Sequence, residues 1–260
     1  SAQAQQPETI ATDRPGQAFN ATTVGKHVFQ LQWGSSFTRS QSSTPSGFFE
    51  ETVNALASDL SVRVGLGERL EVNTTWIFNR NSGEFRGDDF DADISVTGVS
   101  ASQVGARYTI TNGSGALPAI GVQAALDLNL KAEEFENEGI APLVLIATSQ
   151  PLYKSLGLAT NWGVTWDGSD ASPNYNYVIN LSQGLGDQWT VFIENYGSLA
   201  EKNDDDMDFD TFFDGGVAYL VNSNFQFDLF AGYANNAYGI RDFEDFFIAM
   251  GFSWRAGGTE

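Results

Sequence analysis

The chain has 260 residues, no cysteine, and 33 acidic against 13 basic residues, which gives a formal net charge of −20. The absence of cysteine excludes a disulfide framework and thiolate chemistry, and the negative charge argues against binding nucleic acid phosphates. No apolar run approaches the roughly 18 residues that a transmembrane helix needs. Aromatic residues make up 13% of the chain, and their placement on alternate positions of many short segments is the main clue to the fold.

The N-terminal 25 residues differ from the rest of the chain. They are polar, contain Pro7 and Pro15, and show neither helical nor strand periodicity. We therefore expect an N-terminal tail over residues 1–25 and a single barrel domain over residues 26–260. Ala2-Gln3-Ala4 resembles the small-x-small end of a signal peptide, which predicts an exported chain whose leader has been removed.

From His27 onward, apolar and polar residues alternate. In the first segment Phe29 and Leu31 share one face, and Gln30 and Gln32 the other. This period of two is that of a β-strand. Eleven similar segments follow, and the one at 142–150 has the weakest alternation. We predict an all-β chain with about twelve antiparallel strands, although ten or fourteen would also fit the pattern.

The connections between these segments alternate in length. Short ones fall near 67–68, 112–117, 151–154, 184–187 and 222–224, and long ones at 39–51, 80–93, 131–141, 167–174, 198–210 and 235–244. Short periplasmic turns and long extracellular loops are typical of outer-membrane barrels. The pattern predicts a transmembrane β-barrel in the bacterial outer membrane, in contact with its lipid. A soluble β-sandwich or lipocalin-like barrel shows the same alternation and remains an alternative.

If the apolar positions face lipid, the alternate positions line the lumen. The charged and amide residues at those positions are Asp59, Arg63, Glu71, Arg107, Asp127, Asn129, Asn161, Asn180, Glu194, Asp214 and Asp228. Charges of both signs suit a hydrated or hydrogen-bonded interior, because an isolated buried charge is costly. Twelve strands lie between filled small barrels and open large ones. The lumen could therefore be a narrow pore, a ligand site or a space closed by an inserted segment.

The motif Thr12-Asp13-Arg14-Pro15-Gly16 lies shortly before the first predicted strand. It is compact and of mixed charge. We hypothesise that it folds into the periplasmic mouth as a plug, with Arg14 pairing to a lumen carboxylate such as Glu71 or Asp228. A disordered periplasmic tail is the alternative, since chain termini are often mobile.

The sequence gives little sign of catalysis. His27 is the sole histidine; it lies at the start of the first predicted strand, with no serine nucleophile implied beside it. A serine–histidine–aspartate triad is recognised by a geometry that the sequence does not reveal. We expect a protein that is not an enzyme and uses no cofactor.

Acidic runs at 88–93, 133–138 and 204–210 fall in predicted outer loops. Clustered carboxylates can bind Ca²⁺, and the weak candidate ligands are Asp204, Asp205, Asp206 and Asp208. Their spacing does not match an EF-hand loop, and a solvated, repulsive surface is the competing interpretation. In either case the outer mouth should favour cations, and divalent cations are possible partners at these loops.

Several stretches resemble the outer-membrane family named for a meta-pathway of phenol degradation. They are Thr12–Gly16, Gly105-Ala-Arg-Tyr108, Asn161-Trp-Gly163, the segment 225–233 and Gly251-Phe-Ser-Trp-Arg255. The resemblance runs in order over most of the chain. It implies an outer-membrane barrel that passes small, apolar or aromatic compounds.

These observations give two competing functions. The first is passive passage or binding of small-molecule solutes across the outer membrane, and the sequence contains no ATP-binding loop that could energise it. The second is a non-transporting scaffold or interaction subunit of an outer-membrane complex, with an envelope protein as partner.

Overall fold

A computed structural model describes residues 9–43, 49–87, 90–168, 172–201, 207–236 and 242–257. The strands are β1 (Val28–Ser43), β2 (Phe49–Gly65), β3 (Leu70–Gly87), β4 (Phe90–Ser114), β5 (Leu117–Asp127), β6 (Ala141–Tyr153), β7 (Leu156–Thr165), β8 (Asn174–Leu185), β9 (Trp189–Glu201), β10 (Met207–Asn222), β11 (Phe225–Asn236) and β12 (Asp242–Gly257). One short 3₁₀ helix, Glu133–Phe135, lies between β5 and β6. Within these ranges no helix is both long and apolar enough to cross a membrane.

The twelve strands form a closed antiparallel barrel. Each strand pairs with its neighbours in sequence, and β12 closes onto β1 with Val28 opposite Gly257 and Ser43 opposite Asp242. Closure matters in lipid because an open sheet edge would leave backbone groups without hydrogen bonds. The predicted all-β fold and its strand number are confirmed, and the weakly alternating segment 142–150 lies within β6.

The distribution of side chains is the reverse of that in a soluble protein. Large apolar side chains on the outer face are exposed, among them Leu56, Trp76, Ile146, Trp162, Phe227, Ile248 and Met250. Arg63 and Glu71, by contrast, are completely buried inside the barrel. An apolar outer band around a polar interior is the pattern of a membrane barrel. It excludes the soluble sandwich and the lipocalin-like barrel.

The two ends of the barrel differ. At one end the turns contain two to four residues, as at 115–116 and 223–224, and we assign this end to the periplasm. At the other end the strands run further than the sequence predicted. The segment 80–93 is not a long loop, because β3 continues to Gly87 and β4 begins at Phe90. The predicted loops at 39–51, 198–210 and 235–244 are likewise partly strand.

The physical reason lies in the environment of these extensions. On β4 the consecutive residues Asp93, Ile94 and Ser95 are all exposed, so both faces of the sheet meet water there. Without lipid on one side, nothing requires apolar and polar residues to alternate. A polar, non-alternating stretch therefore looked like a loop in the sequence although its backbone is paired.

Candidate functional site

The interior of the barrel is occupied by the chain's own N-terminal segment, residues 9–27. At the periplasmic end, the Ile10 amide donates a 2.9 Å hydrogen bond to the Ser223 carbonyl in the β10–β11 turn. Further along, Val24 is almost fully buried, and a Cβ on Gly65 would lie only 1.6 Å from the Gly25 carbonyl oxygen. The wall therefore needs a glycine where the N-terminal segment makes this contact.

Asp13 is held between two arginines of the wall. Both guanidinium Nη atoms of Arg107 bind the Asp13 carboxylate at 2.9 Å, and Arg63 approaches it at 3.3 Å. Burial alone would raise the pKa of Asp13, but the two guanidiniums outweigh it, so its pKa lies below the ordinary aspartate value. The carboxylate also accepts a hydrogen bond from the Asn20 amide, which fixes the fold of the segment itself.

Arg63 connects the N-terminal segment to β3. Its Nε and Nη2 atoms donate to the two carboxylate oxygens of Glu71 at 2.8 and 2.9 Å, and its Nη1 donates to the Ala11 carbonyl at 2.8 Å. Glu71 in turn accepts from the Val24 amide at 2.8 Å. The two fully buried charges thus compensate each other while also binding the backbone of the inserted segment.

Arg14 makes a second ion-pair cluster, with carboxylates of β2 and β11. Its Nε and Nη2 atoms donate to Asp228 at 3.3 and 3.0 Å, and its Nη1 donates to both oxygens of Asp59 at 3.2 Å. Of the two carboxylates suggested for Arg14, Asp228 is its partner in the structure. Glu71 is not, because its carboxylate is bound to Arg63.

Further contacts fix the backbone of the N-terminal segment. Glu194 accepts from the Gln17 amide at 2.6 Å. Asn161 both accepts from the Phe19 amide at 2.6 Å and donates to the Phe19 carbonyl at 3.0 Å. Because these wall residues come from β7 and β9, the segment is attached on several sides of the barrel, and it crosses the lumen.

On the extracellular side of the segment lies a cavity of about 460 Å³, which we call the chamber. Its floor includes Asp13, Arg14, Gly16, Gln17 and Phe19, and its wall includes Gln32, Asp59, Ile77, Tyr196, Phe212, Phe230, Asp245 and Phe247. On the periplasmic side, a second cavity of about 320 Å³ is lined by residues of β6, β7 and β8, including Ala159 and Ser182. Asn161, which holds Phe19, lies two residues further along β7 than Ala159. The N-terminal segment thus contacts β7 close to this second cavity.

The chamber has an aromatic wall that the sequence analysis missed. Phe230 packs against Phe192 and Phe247, with ring centroids 6.1 and 5.7 Å apart, and Tyr196 stacks on Phe212 at 5.3 Å. A signal was present in the adjacent aromatic pairs Phe212-Phe213 and Phe246-Phe247. When two neighbours on a strand are both aromatic, one of them must point inward.

The remaining predicted lumen residues lie outside the two ion-pair clusters of Asp13 and Arg14. Asn180 donates to Glu194 at 3.0 Å, and Asp127 at the end of β5 binds Lys131 at 3.1 Å. Asn129 is not on a lumen-facing strand; it lies in the β5–β6 connection, where it bonds Asn137. Asp214 is buried on β10.

The weak metal candidates Asp204, Asp205 and Asp206 lie outside the described residues, as does the side chain of Asp208. In the ranges that the structure covers, no three acidic, histidine or cysteine side chains are grouped so that they could hold a metal ion.

Comparison with known proteins places the chain in a family. Its sequence matches, over residues 12–250, the family described as "Putative MetA-pathway of phenol degradation". No curated protein matches the sequence significantly.

Solved structures share the architecture at low sequence identity. The COG4313 outer membrane channel from Pseudomonas putida F1 superposes with a TM-score of 0.71 at 12% identity, covering 94% of this chain and 99% of that one. The transport unit of the autotransporter AIDA-I from Escherichia coli gives 0.61 at 12% identity, covering 88% and 90%. The CymD monoaromatic hydrocarbon channel gives 0.53 at 8% identity, covering 90% of each chain. The protein is an outer-membrane β-barrel, and it belongs to the phenol-degradation family whose motifs its sequence carries.

Proposed function

We propose that this protein is a passive outer-membrane channel for small apolar or aromatic molecules, closed at rest by its N-terminal segment acting as a plug. Solutes would enter the chamber from outside and bind its aromatic wall. They would then pass to the periplasmic cavity when the segment moves. Two structures with a similar fold are an outer membrane channel and a monoaromatic hydrocarbon channel, which agrees with this proposal.

The observation that carries the proposal is the chamber itself. Its volume of about 460 Å³ falls in the range of about 300–1,000 Å³ that is usual for small-molecule sites. Aromatic rings on the wall offer apolar surface, and offset or edge-on contact with a ligand ring adds to that attraction.

The N-terminal segment is suited to reversible closure because polar contacts hold it. Its main attachments are the ion pairs of Asp13 and Arg14 and hydrogen bonds to its backbone amides. Polar contacts of this kind can exchange for water when the segment moves into a hydrated lumen. A segment held by a large apolar core would lose much more on release.

We infer passive transport rather than catalysis. His27 is exposed next to the start of β1, outside the chamber, and the chamber lining holds no histidine or cysteine among its described residues. The proposal includes divalent cations at the acidic outer loops and an envelope protein as partners.

The test is single-channel recording in planar bilayers with the full chain and with a variant lacking residues 1–20. The deletion removes the Asp13 and Arg14 attachments and leaves all twelve strands. We expect small or rare conductance steps from the full chain and larger, cation-selective steps from the variant. Silence from both forms would overturn the channel and favour the scaffold alternative.

A second arm tests the aromatic wall. Benzyl alcohol added to the open variant should reduce the current reversibly, because the ring occupies the chamber. Replacing Phe230 and Phe247 by serine should weaken this block, whereas serine at the outward-facing Phe213 should leave it unchanged. Equal block in all three forms would mean that the alcohol acts on the lipid and not on the chamber.

A further inference from the structure

Asp214 is a buried carboxylate with no hydrogen-bond partner in the part of the chain that the structure describes. Asp214 on β10 is 7% exposed, and neither of its carboxylate oxygens has a hydrogen-bond partner among the described residues. Leaving a buried polar group unsatisfied costs stability, and an isolated buried charge costs much more. A group of this kind in a folded protein points to a ligand that completes it.

A second carboxylate beside Asp214 makes a bound cation more favourable there. Its register partner on β9 is Glu194, a second carboxylate that faces the same interior. Both oxygens of Glu194 are already used, one by the Gln17 amide and one by Asn180. Two carboxylates therefore lie side by side, and the free one offers two acceptor oxygens.

Aromatic side chains complete the surroundings of Asp214. Its register partner on β11 is Gly232. A Cβ built on that glycine would lie 2.2 Å from Phe247 Cε1 and 2.9 Å from Asp214 Cβ. The absence of a side chain at position 232 thus lets the Phe247 ring lie close to the Asp214 side chain. Phe247 also lines the chamber, so Asp214 is just behind the chamber wall.

The same wall shows how a cation is held there. The Arg14 guanidinium lies 5.7 Å from the centre of the Phe230 ring and binds Asp228 at 3.0 Å. A carboxylate and an aromatic ring of β11 thus hold a positive charge together, which is a favourable arrangement for cation–π contact. Asp214 with Phe247 offers the same pair of groups, and the chain supplies no cation to it in the described ranges.

We propose that Asp214, with Glu194 beside it and the Phe247 ring close by, binds the ammonium group of an organic cation whose apolar or aromatic body lies in the chamber. The inference rests on the proposed function and specifies one solute class for it. An organic ammonium fits better than a metal ion, because aromatic rings are poor ligands for hard cations, which require several oxygen donors.

The test compares two probes of similar size, benzylammonium and benzyl alcohol, by titration calorimetry on the purified full chain in detergent. The variant is Asp214→Asn, which removes the charge at nearly constant volume. The matched control is Asp187→Asn, which removes one charge from the exposed β8–β9 turn. A second variant, Phe247→Leu, removes the ring and keeps an apolar side chain.

We expect wild-type protein and D187N to bind benzylammonium at least about tenfold more tightly than D214N does, because D214N loses a charge-assisted contact. F247L should weaken the binding of benzylammonium more than the binding of benzyl alcohol. Benzyl alcohol should bind wild-type protein, D187N and D214N alike, which also shows that D214N is folded.

Three results would overturn the inference. One is benzylammonium binding that D214N leaves unchanged while benzyl alcohol still binds; the proposed function would then stand. Another is displacement of benzylammonium by millimolar Ca²⁺, which would indicate a metal site. The third is no binding of either probe to any form, in which case the proposed function fails as well.

Discussion

Arg14 lies so close to the wall that a missing side chain is part of its binding site. A Cβ on Gly34 would be 2.1 Å from Arg14 Nη1, and the guanidinium cannot retreat without leaving Asp59 or Asp228. We expect Gly34→Ala to displace Arg14 and loosen the N-terminal segment. Because the natural chain has no cysteine, Ala11→Cys gives a single thiol at a buried position of the segment. Its maleimide labelling rate reports this loosening.

The control for this prediction is Gly67→Ala, in a turn where an added Cβ meets nothing within 4 Å. Labelling of the thiol at position 11 should accelerate several-fold in the Gly34→Ala background and stay unchanged with Gly67→Ala. Equal labelling rates in both backgrounds would show that Arg14 does not hold the segment.

Asp13 compensates two buried cations at once. In Asp13→Asn, Arg63 would keep Glu71, but Arg107 would lose its bidentate carboxylate. Removing one partner of a buried ion pair typically costs about 3–5 kcal/mol, and we expect docking of the segment to weaken by about 3 kcal/mol. The opening frequency of the full chain in planar bilayers should rise accordingly, while thermal unfolding of the barrel changes little. An unchanged opening frequency would contradict the prediction.

The lowered pKa of Asp13 sets a direction for pH dependence. A carboxylate whose pKa is lower in the docked than in the released state stabilises docking above its released value of about 3.9. That stabilisation is lost as the pH falls through the docked pKa. The Asp13 attachment should therefore persist from pH 7 to about pH 4 and weaken only below that.

Conductance of the full chain recorded from pH 7 to pH 3 tests this. The opening frequency of the full chain should rise at the acidic end of this pH range, and this rise should be absent from Asp13→Asn. A rise between pH 7 and 5 that Asp13→Asn abolishes would show that the pKa of Asp13 is raised instead.

At the scale of elements, strands β3 and β4 extend past the part of the barrel that lipid covers. Ile179 on β8 is an exposed apolar residue on the outer face of the barrel wall. Thr97 on β4 is exposed on the same outer face nearer the outer rim, where it pairs with Arg80 of β3. An arginine at the bilayer midplane of such barrels costs about 2–4 kcal/mol and much less near the interface. We expect Ile179→Arg to lower the free energy of unfolding by about 2 kcal/mol or more in lipid.

Thr97→Arg is the comparison variant and should cost less than about 1 kcal/mol, because its side chain meets water. Urea unfolding in phosphatidylcholine vesicles gives both values. Equal costs at the two positions would place the outer end of β4 inside the lipid and remove our explanation for its irregular pattern.

The alternation of apolar and polar residues predicts strands only where one face of the sheet meets lipid and the other meets the lumen. β1 shows this: Phe29, Leu31 and Trp33 face outward, while Gln30 and Gln32 are buried inside. Near Ser95 the two faces meet the same solvent, and the pattern no longer distinguishes strand from loop. The sequence could thus predict the number of strands but not how far they extend.

For the site, the sequence predicts which residues face the lumen but not which of them pair. Charged lumen residues such as Arg63 and Glu71 can be identified directly, because they lie on the polar face of the alternating pattern. Which of them pair does not follow, because pairing depends on where the N-terminal segment crosses the lumen. Aromatic residues that face inward, such as Phe230, break the rule that apolar means outward, and only their adjacency to another apolar residue hinted at them.

At the scale of the whole molecule, the net charge of −20 should govern which ions pass. Exposed carboxylates lie near the outer rim, including Asp91, Asp93, Glu133, Glu134 and Glu138, and a mouth of one sign concentrates counter-ions. We expect the variant lacking residues 1–20 to prefer K⁺ over Cl⁻. Screening shortens the range of these charges from about 10 Å at 0.1 M salt to about 3 Å at 1 M.

The reversal potential in a KCl gradient measures this preference. It should be largest near 0.1 M salt and decline toward 1 M, since the rim charges then act only on ions in contact with them. Neutralising Glu133, Glu134 and Glu138 to glutamine should lower the selectivity at 0.1 M and have little effect at 1 M. If selectivity instead survives high salt and the triple variant, the charges that select cations lie in the lumen, where Asp59 and Asp228 are freed by the loss of Arg14.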